Sequence, residues 1–313
     1  MAKLIWSTAL DGLEMAILDQ RLRTAIEAIT TFEGAADKIA LLVKQFGKKN
    51  AGRSVAQITA KQYDKLLQDI YAALAPISKD AGKVFARTAG ATLEELNTTV
   101  AAINEVAGLG LPEFARHSEY RALARYSAEN IDRLTDPIMR QAATSIYSEF
   151  RGAWQTENYD NMQANIRRIL GVDADRKALL LKVRKSGLKG ADAAKMLKEL
   201  SGGQKGVWSK IDRLIRSEGA LASDQLYGDW EKSLGKNVEA TEFVNEPDAC
   251  DICQSLAGVY PAGEAPTPVA DTHPNCNCRK RPVLKGYDPK PDKAAIEKNE
   301  AHLRKLREKK AAA

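Results

Sequence analysis

A mainly α fold is what this sequence predicts, and three observations predict it. Apolar residues recur at spacings of three and four through the first half of the 313 residues, which is the repeat of one helical face. Runs of β-branched residues are few there, and most of the prolines fall after residue 245, which confines loops and short strands to the end of the chain. The expected architecture is a multi-helix N-terminal region and a helical core, then a small α+β module, then a basic tail.

Leu10, Leu13 and Ile17 begin one apolar stripe, which fades near Gly34. Thr59 with Gln62 three residues later is a capping-box arrangement, and Tyr63, Leu66, Leu67, Ile70 and Leu74 then share one helical face. Pro76 is expected to end or kink that helix, because proline removes a backbone donor and its ring meets the preceding turn. Thr92 and Glu95 repeat the capping signature before Leu93, Leu96, Val100 and Ile103. The run Gly108 to Pro112 marks a hinge, so an N-terminal helical region is placed at 1–108.

A second helical region occupies 113–170, with Pro137 as its breaker. The helical core is placed at 171–245. In it Gly187 and Gly190 mark a turn, Ala194, Leu197 and Leu200 give a short apolar face, and Trp208, Ile211, Ile215, Gly219, Ala222, Leu226 and Trp230 make the longest clean stripe. Glu242 to Asn245 reads as a short strand. The module follows at 246–284, and 285–313 is charged, Pro-punctuated and weakly helical from about Lys293; it is expected to be a mobile tail, or one that orders on a partner, since Ile296, Leu303 and Leu306 are too few for a core of their own.

Charge is unevenly distributed. Of the 47 Lys and Arg and 41 Asp and Glu, 12 basic and 5 acidic residues fall in 279–313, so that stretch carries +7 while the rest is close to neutral. The opening residues contain Asp11, Glu14 and Asp19 and no small-residue cleavage site, unlike a signal peptide. No run approaches the ~18 apolar residues that a membrane span needs, so a cytoplasmic protein without membrane attachment is expected.

All four cysteines, Cys250, Cys253, Cys276 and Cys278, lie close together near the end of the chain, together with His273. Clustering of this kind means a local cross-link or a local metal site, and without a secretory signal the metal is favoured. Cys250-Asp-Ile-Cys253 and His273-Pro-Asn-Cys276-Asn-Cys278 are two ligand pairs, each on a tight turn, which is how tetrahedral zinc sites are usually built. Five candidates compete for four places: Cys250, Cys253, His273 and Cys276 are the first choice and Cys278 the reserve. Two disulfides or free thiols are the alternatives. A site filled by four protein ligands has no open position for water, so the expected zinc is structural, and it would supply the folding free energy of a segment too Pro-rich to bury a core. None of H-E-x-x-H, a P-loop, G-x-S-x-G or G-x-G-x-x-G occurs, and no catalytic residue is assigned.

The run from Gly187 to Cys278 resembles the Mu F-like family of tailed-phage minor head, or head morphogenesis, proteins. The resemblance lies in the order of features: Gly187-x-x-Gly190 opening a helix, then Arg216-Ser217-Glu218 where the family carries Arg-Thr-Glu, then the cysteine pair followed by Leu256-Ala-Gly258, then His273-Pro-Asn-Cys-Asn-Cys278. Ser217 stands for the usual Thr, and Asn277 stands where Arg is common. The resemblance implies a non-enzymatic virion component of few copies, in the host cytoplasm during assembly and in the phage head afterwards. Its implied partners are the portal protein, with copies following portal symmetry, and a major capsid or scaffolding protein. The basic 279–313 segment would suit packaged DNA through phosphate neutralisation. The competing reading is a zinc-stabilised nucleic-acid-binding protein in which Arg279, Lys280, Arg281 and Lys285 flank the metal knuckle.

Overall fold

The computed structural model describes residues 30–108, 110–113, 117–156, 161–172, 178, 182, 206–245, 249–274, 276, 278–286 and 290–312. The Leu10–Ile17 stripe and the features at 187–203 lie outside these residues. The described part is mainly helical with one small antiparallel sheet, and among the described residues no helix is long and apolar enough to cross a membrane.

Contacts divide the chain into two compact units. The helical unit comprises Leu18–Ala86 and Ala128–Asp212, and the mixed unit comprises Met1–Ile17, Arg87–Ser127 and Arg213–Ala313. Five helices are described before the sheet: α1 (30–49), α2 (Ala60–Ala107), α3 (His117–Thr156), α4 (Met162–Leu170) and α5 (Val207–Leu234).

In the helical unit α1 runs on through Gly34, where the stripe was expected to fade, because Phe32, Ala36, Ile39 and Val43 continue a buried face. Its core adds Ile70, Leu74 and Ile77 from α2, Ile131, Ile146 and Phe150 from α3, and Ile166 and Leu170 from α4. The Thr59–Gln62 capping box forms: the Thr59 N–H donates to Gln62 Oε1 at 3.0 Å and the Gln62 N–H to Thr59 Oγ1 at 3.3 Å.

Three expectations need correction. Pro76 and Pro137 do not end their helices, since α2 and α3 continue through them. Both prolines lie on exposed faces, where water satisfies the carbonyl that loses its partner, while buried Ala73, Leu74 and Ile77, and Ile131 and Met139, hold the opposite faces in the core. The Thr92–Glu95 signature lies inside α2, where the backbone donors already have intrahelical partners and nothing is left to cap.

In the mixed unit α2 ends at Gly108, whose φ is +64°, and the connection is pinned by Asn104. Its amide donates to the Leu111 carbonyl at 2.7 Å and accepts from the Leu111 N–H at 2.6 Å. After α5 the chain forms β1 (Val238–Val244), α6 (Asp251–Leu256), β2 (Gly258–Tyr260), β3 (Arg279–Leu284) and α7 (Lys293–Ala311). β1 is the central strand, antiparallel to both neighbours, with Thr241 opposite Tyr260 on one side and Pro282 on the other. Proline is tolerated there because β3 is an edge strand. The strand is longer than the expected 242–245, since Val238, Ala240 and Thr241 also face inward.

The larger correction concerns the tail. Residues 293–311 form a helix, as expected from about Lys293, but it is docked on the module rather than loose. Its Leu303 lies in one buried cluster with Phe243, Cys253, Leu256, Tyr260, Ala265, Cys276 and Cys278, and Leu306 packs against that cluster. Leu303 and Leu306, too few for a core of their own, help to close another one.

Candidate metal centre

Two tight turns bring the sulfur and imidazole groups together. Cys250 caps α6 without a side-chain hydrogen bond to it, its carbonyl accepting from the Gln254 N–H at 2.9 Å, and Cys253 lies on the first turn facing inward with Leu256. In the second pair the Cys276 N–H donates to the His273 carbonyl at 3.2 Å, which folds His273 and Cys276 onto the same side.

All five sequence-predicted ligands meet. Cys250, Cys253 and His273 form one group and Cys253, Cys276 and Cys278 another, with the ligand atoms of each within 4.8 Å of one another. Cys253 belongs to both. Its Sγ lies 3.6 Å from Cys276 Sγ and 3.4 Å from His273 Nε2. Those separations can be tested against an ion. With Zn–S bonds of about 2.3 Å and Zn–N bonds of about 2.0 Å, tetrahedral ligand atoms stand about 3.5–3.8 Å apart. The two edges that meet at Cys253 are close to those values, while His273 groups with Cys250 and Cys253 and the buried Cys276 and Cys278 group with Cys253 alone.

The imidazole is turned for the role. Its Nδ1 lies 2.8 Å from the Pro274 carbonyl, which can only accept, so Nδ1 is the donor there and Nε2 is the ring nitrogen left facing Cys253. Ligating histidines usually give their other ring nitrogen to such a partner. All four cysteines are free thiols rather than disulfides, and burial separates them: Cys253, Cys276 and Cys278 are buried, whereas Cys250 is exposed. Hydrogen bonds from Cys253, Cys278 and Thr272 hold the Cys276 thiol far below the ordinary thiol range, and hydrogen bonding to Cys276 and Cys278 with burial pushes Cys253 far above it. A buried group of thiols in which one is shifted toward its ionised form is a setting that a thiophilic cation would stabilise.

The surrounding residues position the ligand loops. Glu231 is buried, and its Oε1 accepts from the Thr241 hydroxyl and, at 2.9 Å, from the Gly263 N–H, which fixes the loop after β2. The turn before His273 contains Val269 at φ +68°, a strained value for a β-branched residue. Its N–H is held by Thr272 Oγ1 at 2.9 Å. Helix α7 grips that turn: Arg307 gives two hydrogen bonds to Asp271, at 2.9 and 2.8 Å, and Lys310 reaches the carbonyls of Ala270 and Thr272 at 2.9 and 3.1 Å.

The Leu256-Ala-Gly258 element acquires a physical reason as well. Leu256 is fully buried. Gly258 has φ +141°, and a Cβ there would stand 2.4 Å from Asn299 Nδ2 of α7, an atom that donates to the Val259 carbonyl at 3.0 Å.

Sequence reasoning named the five Cys and His residues that come together and missed Asp271, Arg307, Lys310 and Asn299, because their pairing is set by the docking of α7 and carries no fixed spacing. It also missed that the basic segment is partly engaged. Lys280 pairs with Asp224 at 2.7 Å and Arg281 Nε with Glu242 at 2.9 Å.

No family model, curated protein or solved structure matches this chain. The site is therefore interpreted through its own chemistry.

Proposed function

We propose that the chain is a structural, non-enzymatic minor head protein of a tailed bacteriophage, in which a structural zinc ion fixes the 238–311 module. The observation that supports the zinc assignment is the convergence of four cysteines and one histidine on Cys253, whose Sγ lies 3.4 Å from His273 Nε2 and 3.6 Å from Cys276 Sγ, with His273 held by Pro274. The head assignment is supported by the order of sequence features shared with the Mu F-like family. Two of them, the Leu-x-Gly element and the closing His-Pro-Asn-Cys-x-Cys, sit where the module folds around its ligands.

In this reading the helices dock on a portal, capsid or scaffolding protein, and the exposed Lys285, Lys290, Lys293, Lys298, Arg304, Lys305 and Lys309 are available to packaged DNA. Zinc bound by four protein ligands would hold the fold and activate no water. The alternative, a nucleic-acid module gripping phosphates beside the knuckle, is weakened because Lys280 and Arg281 are already paired with Asp224 and Glu242.

Quantitative mass spectrometry of purified DNA-filled and empty heads from the phage or prophage encoding the chain tests the assignment. A few to a dozen or so copies per particle are expected. Absence from both particles would overturn it in favour of the nucleic-acid module, whose binding would fall steeply with salt.

A further inference from the structure

One sulfur of the first turn faces solvent and the other faces the core. Cys250 is exposed, Cys253 is 1% exposed, and their sulfurs lie within 4.8 Å of each other. We propose that this Cys-x-x-Cys pair is a reactive dithiol, oxidised to a disulfide by low-molecular-weight disulfides through attack at Cys250. The proposal concerns the covalent chemistry of the sulfurs themselves and rests on neither the zinc reading nor the phage-head reading.

The local backbone sets up the pair. Cys250 is extended, with φ −73° and ψ 168°, and its carbonyl accepts from the Gln254 N–H at 2.9 Å, so a single closed turn joins it to Cys253. Residues three apart on such a turn are neighbours. Asp251 and Ile252 between them are exposed, so the turn meets solvent. The Cys250 side chain makes no capping hydrogen bond to α6 that would hold its sulfur away from Cys253.

The other sulfurs lack that access. Cys276 and Cys278 are 1% and 4% exposed, in the cluster that Leu303 closes. Cys253 Sγ lies 3.6 Å from Cys276 Sγ, so distance alone would favour a bond between those two. Access decides against it: exchange runs through a mixed disulfide, which forms at a sulfur the reagent can reach, and neither member of that pair is reachable.

In the first step Cys250 Sγ bonds to one sulfur of the reagent, whose own sulfur–sulfur bond breaks, and the other half leaves as a thiol with the Cys250 proton. In the second, Cys253 Sγ bonds to Cys250 Sγ and the remaining half leaves as a thiol with the Cys253 proton. The pair gives up two electrons and the reagent takes them, so two thiols and a disulfide become one disulfide and two thiols.

The test treats the full chain with oxidised glutathione and maps its cysteine peptides by mass spectrometry, with bound zinc measured in the same samples. Wild type is expected to give a Cys250–Cys253 disulfide and no lasting glutathione adduct. Cys253→Ser should trap glutathione on Cys250, and Cys250→Ser should leave Cys253 unmodified over the same time. Hydrogen exchange across 238–311 checks that each variant is folded; where one is not, the wild-type product decides alone. A wild type in which Cys250 and Cys253 stay reduced, or in which Cys276 or Cys278 is modified first, would overturn the proposal. Zinc on a chain whose pair stays reduced would do so while leaving the metal reading standing, and a Cys250–Cys253 disulfide on a chain that binds no zinc would do the reverse.

Discussion

In the helical unit Phe46, Phe150 and Trp154 meet edge to face with ring centroids 5.4–5.8 Å apart, and Phe32 stands against Trp208 at 5.5 Å. In the 238–311 module a thin layer of Phe243, Leu256, Tyr260 and Leu303 surrounds three cysteine sulfurs. Apolar area is ample in the first and scarce in the second. The first can fold on burial alone; the second, in the reading proposed above, gains a metal cross-link at its centre, and its outer helix makes polar as well as apolar contacts.

Breaking the centre of the module should have the largest effect. Cys276→Ser, or chelation of the zinc, is expected to abolish hydrogen-exchange protection across 238–311, since metal binding in such sites is worth on the order of 10 kcal/mol of folding free energy. Protection of α1 and α4 in the helical unit should persist. Equal loss in both would mean that the module does not depend on the metal in a way of its own. Phe150→Ala is the reciprocal test: it should destabilise the helical unit by about 3–5 kcal/mol, read by denaturant unfolding, while metal content stays at one ion per chain.

Leu303→Ala should cost about 2–4 kcal/mol, felt first as proteolytic release of α7 with the metal still bound. Its smaller companion is Asp271→Asn, expected to weaken α7 docking by about 1 kcal/mol because the Arg307 partner is half exposed. Burial pushes the Asp271 carboxyl up, but the Arg307 hydrogen bonds, the Thr267 N–H and the neighbouring Lys310 outweigh it and hold the group below the ordinary carboxylate range. A depressed folded value means that the contribution is complete above the unfolded value of about 4 and is lost as pH falls through the folded one. Wild type and Asp271→Asn should therefore differ in α7 protection at pH 7 and converge in acid; a constant difference down to pH 2 would refute the pairing.

What could be read in the sequence follows from how local each feature is. The Thr59–Gln62 box and the two ligand turns are complete within a few residues, and each forms. The same box at Thr92 and Glu95 misled, because a cap pattern is silent about whether a helix has already begun upstream. Pro76 and Pro137 misled for a related reason: the penalty of ~3 kcal/mol for a helical proline is local, whereas the buried faces that outweigh it come from packing. In the tail, Ile296, Leu303 and Leu306 showed a face too narrow to stand alone. That Asn299, Arg307 and Lys310 would complete it depended on carbonyls and a carboxylate from β2 and the β2–β3 connection, and no pattern within 285–313 encodes those.

The position of α7 also sets an order of events during synthesis. The ligands leave the ribosome before Leu303, and at 5–20 residues per second the interval from Cys276 to Leu303 lasts roughly one to five seconds. During that interval the nascent sulfurs stand open, and once the helix arrives Cys253, Cys276 and Cys278 are covered. In the metal reading proposed above, the newborn chain would have a brief loading window before the helix closes over those sulfurs.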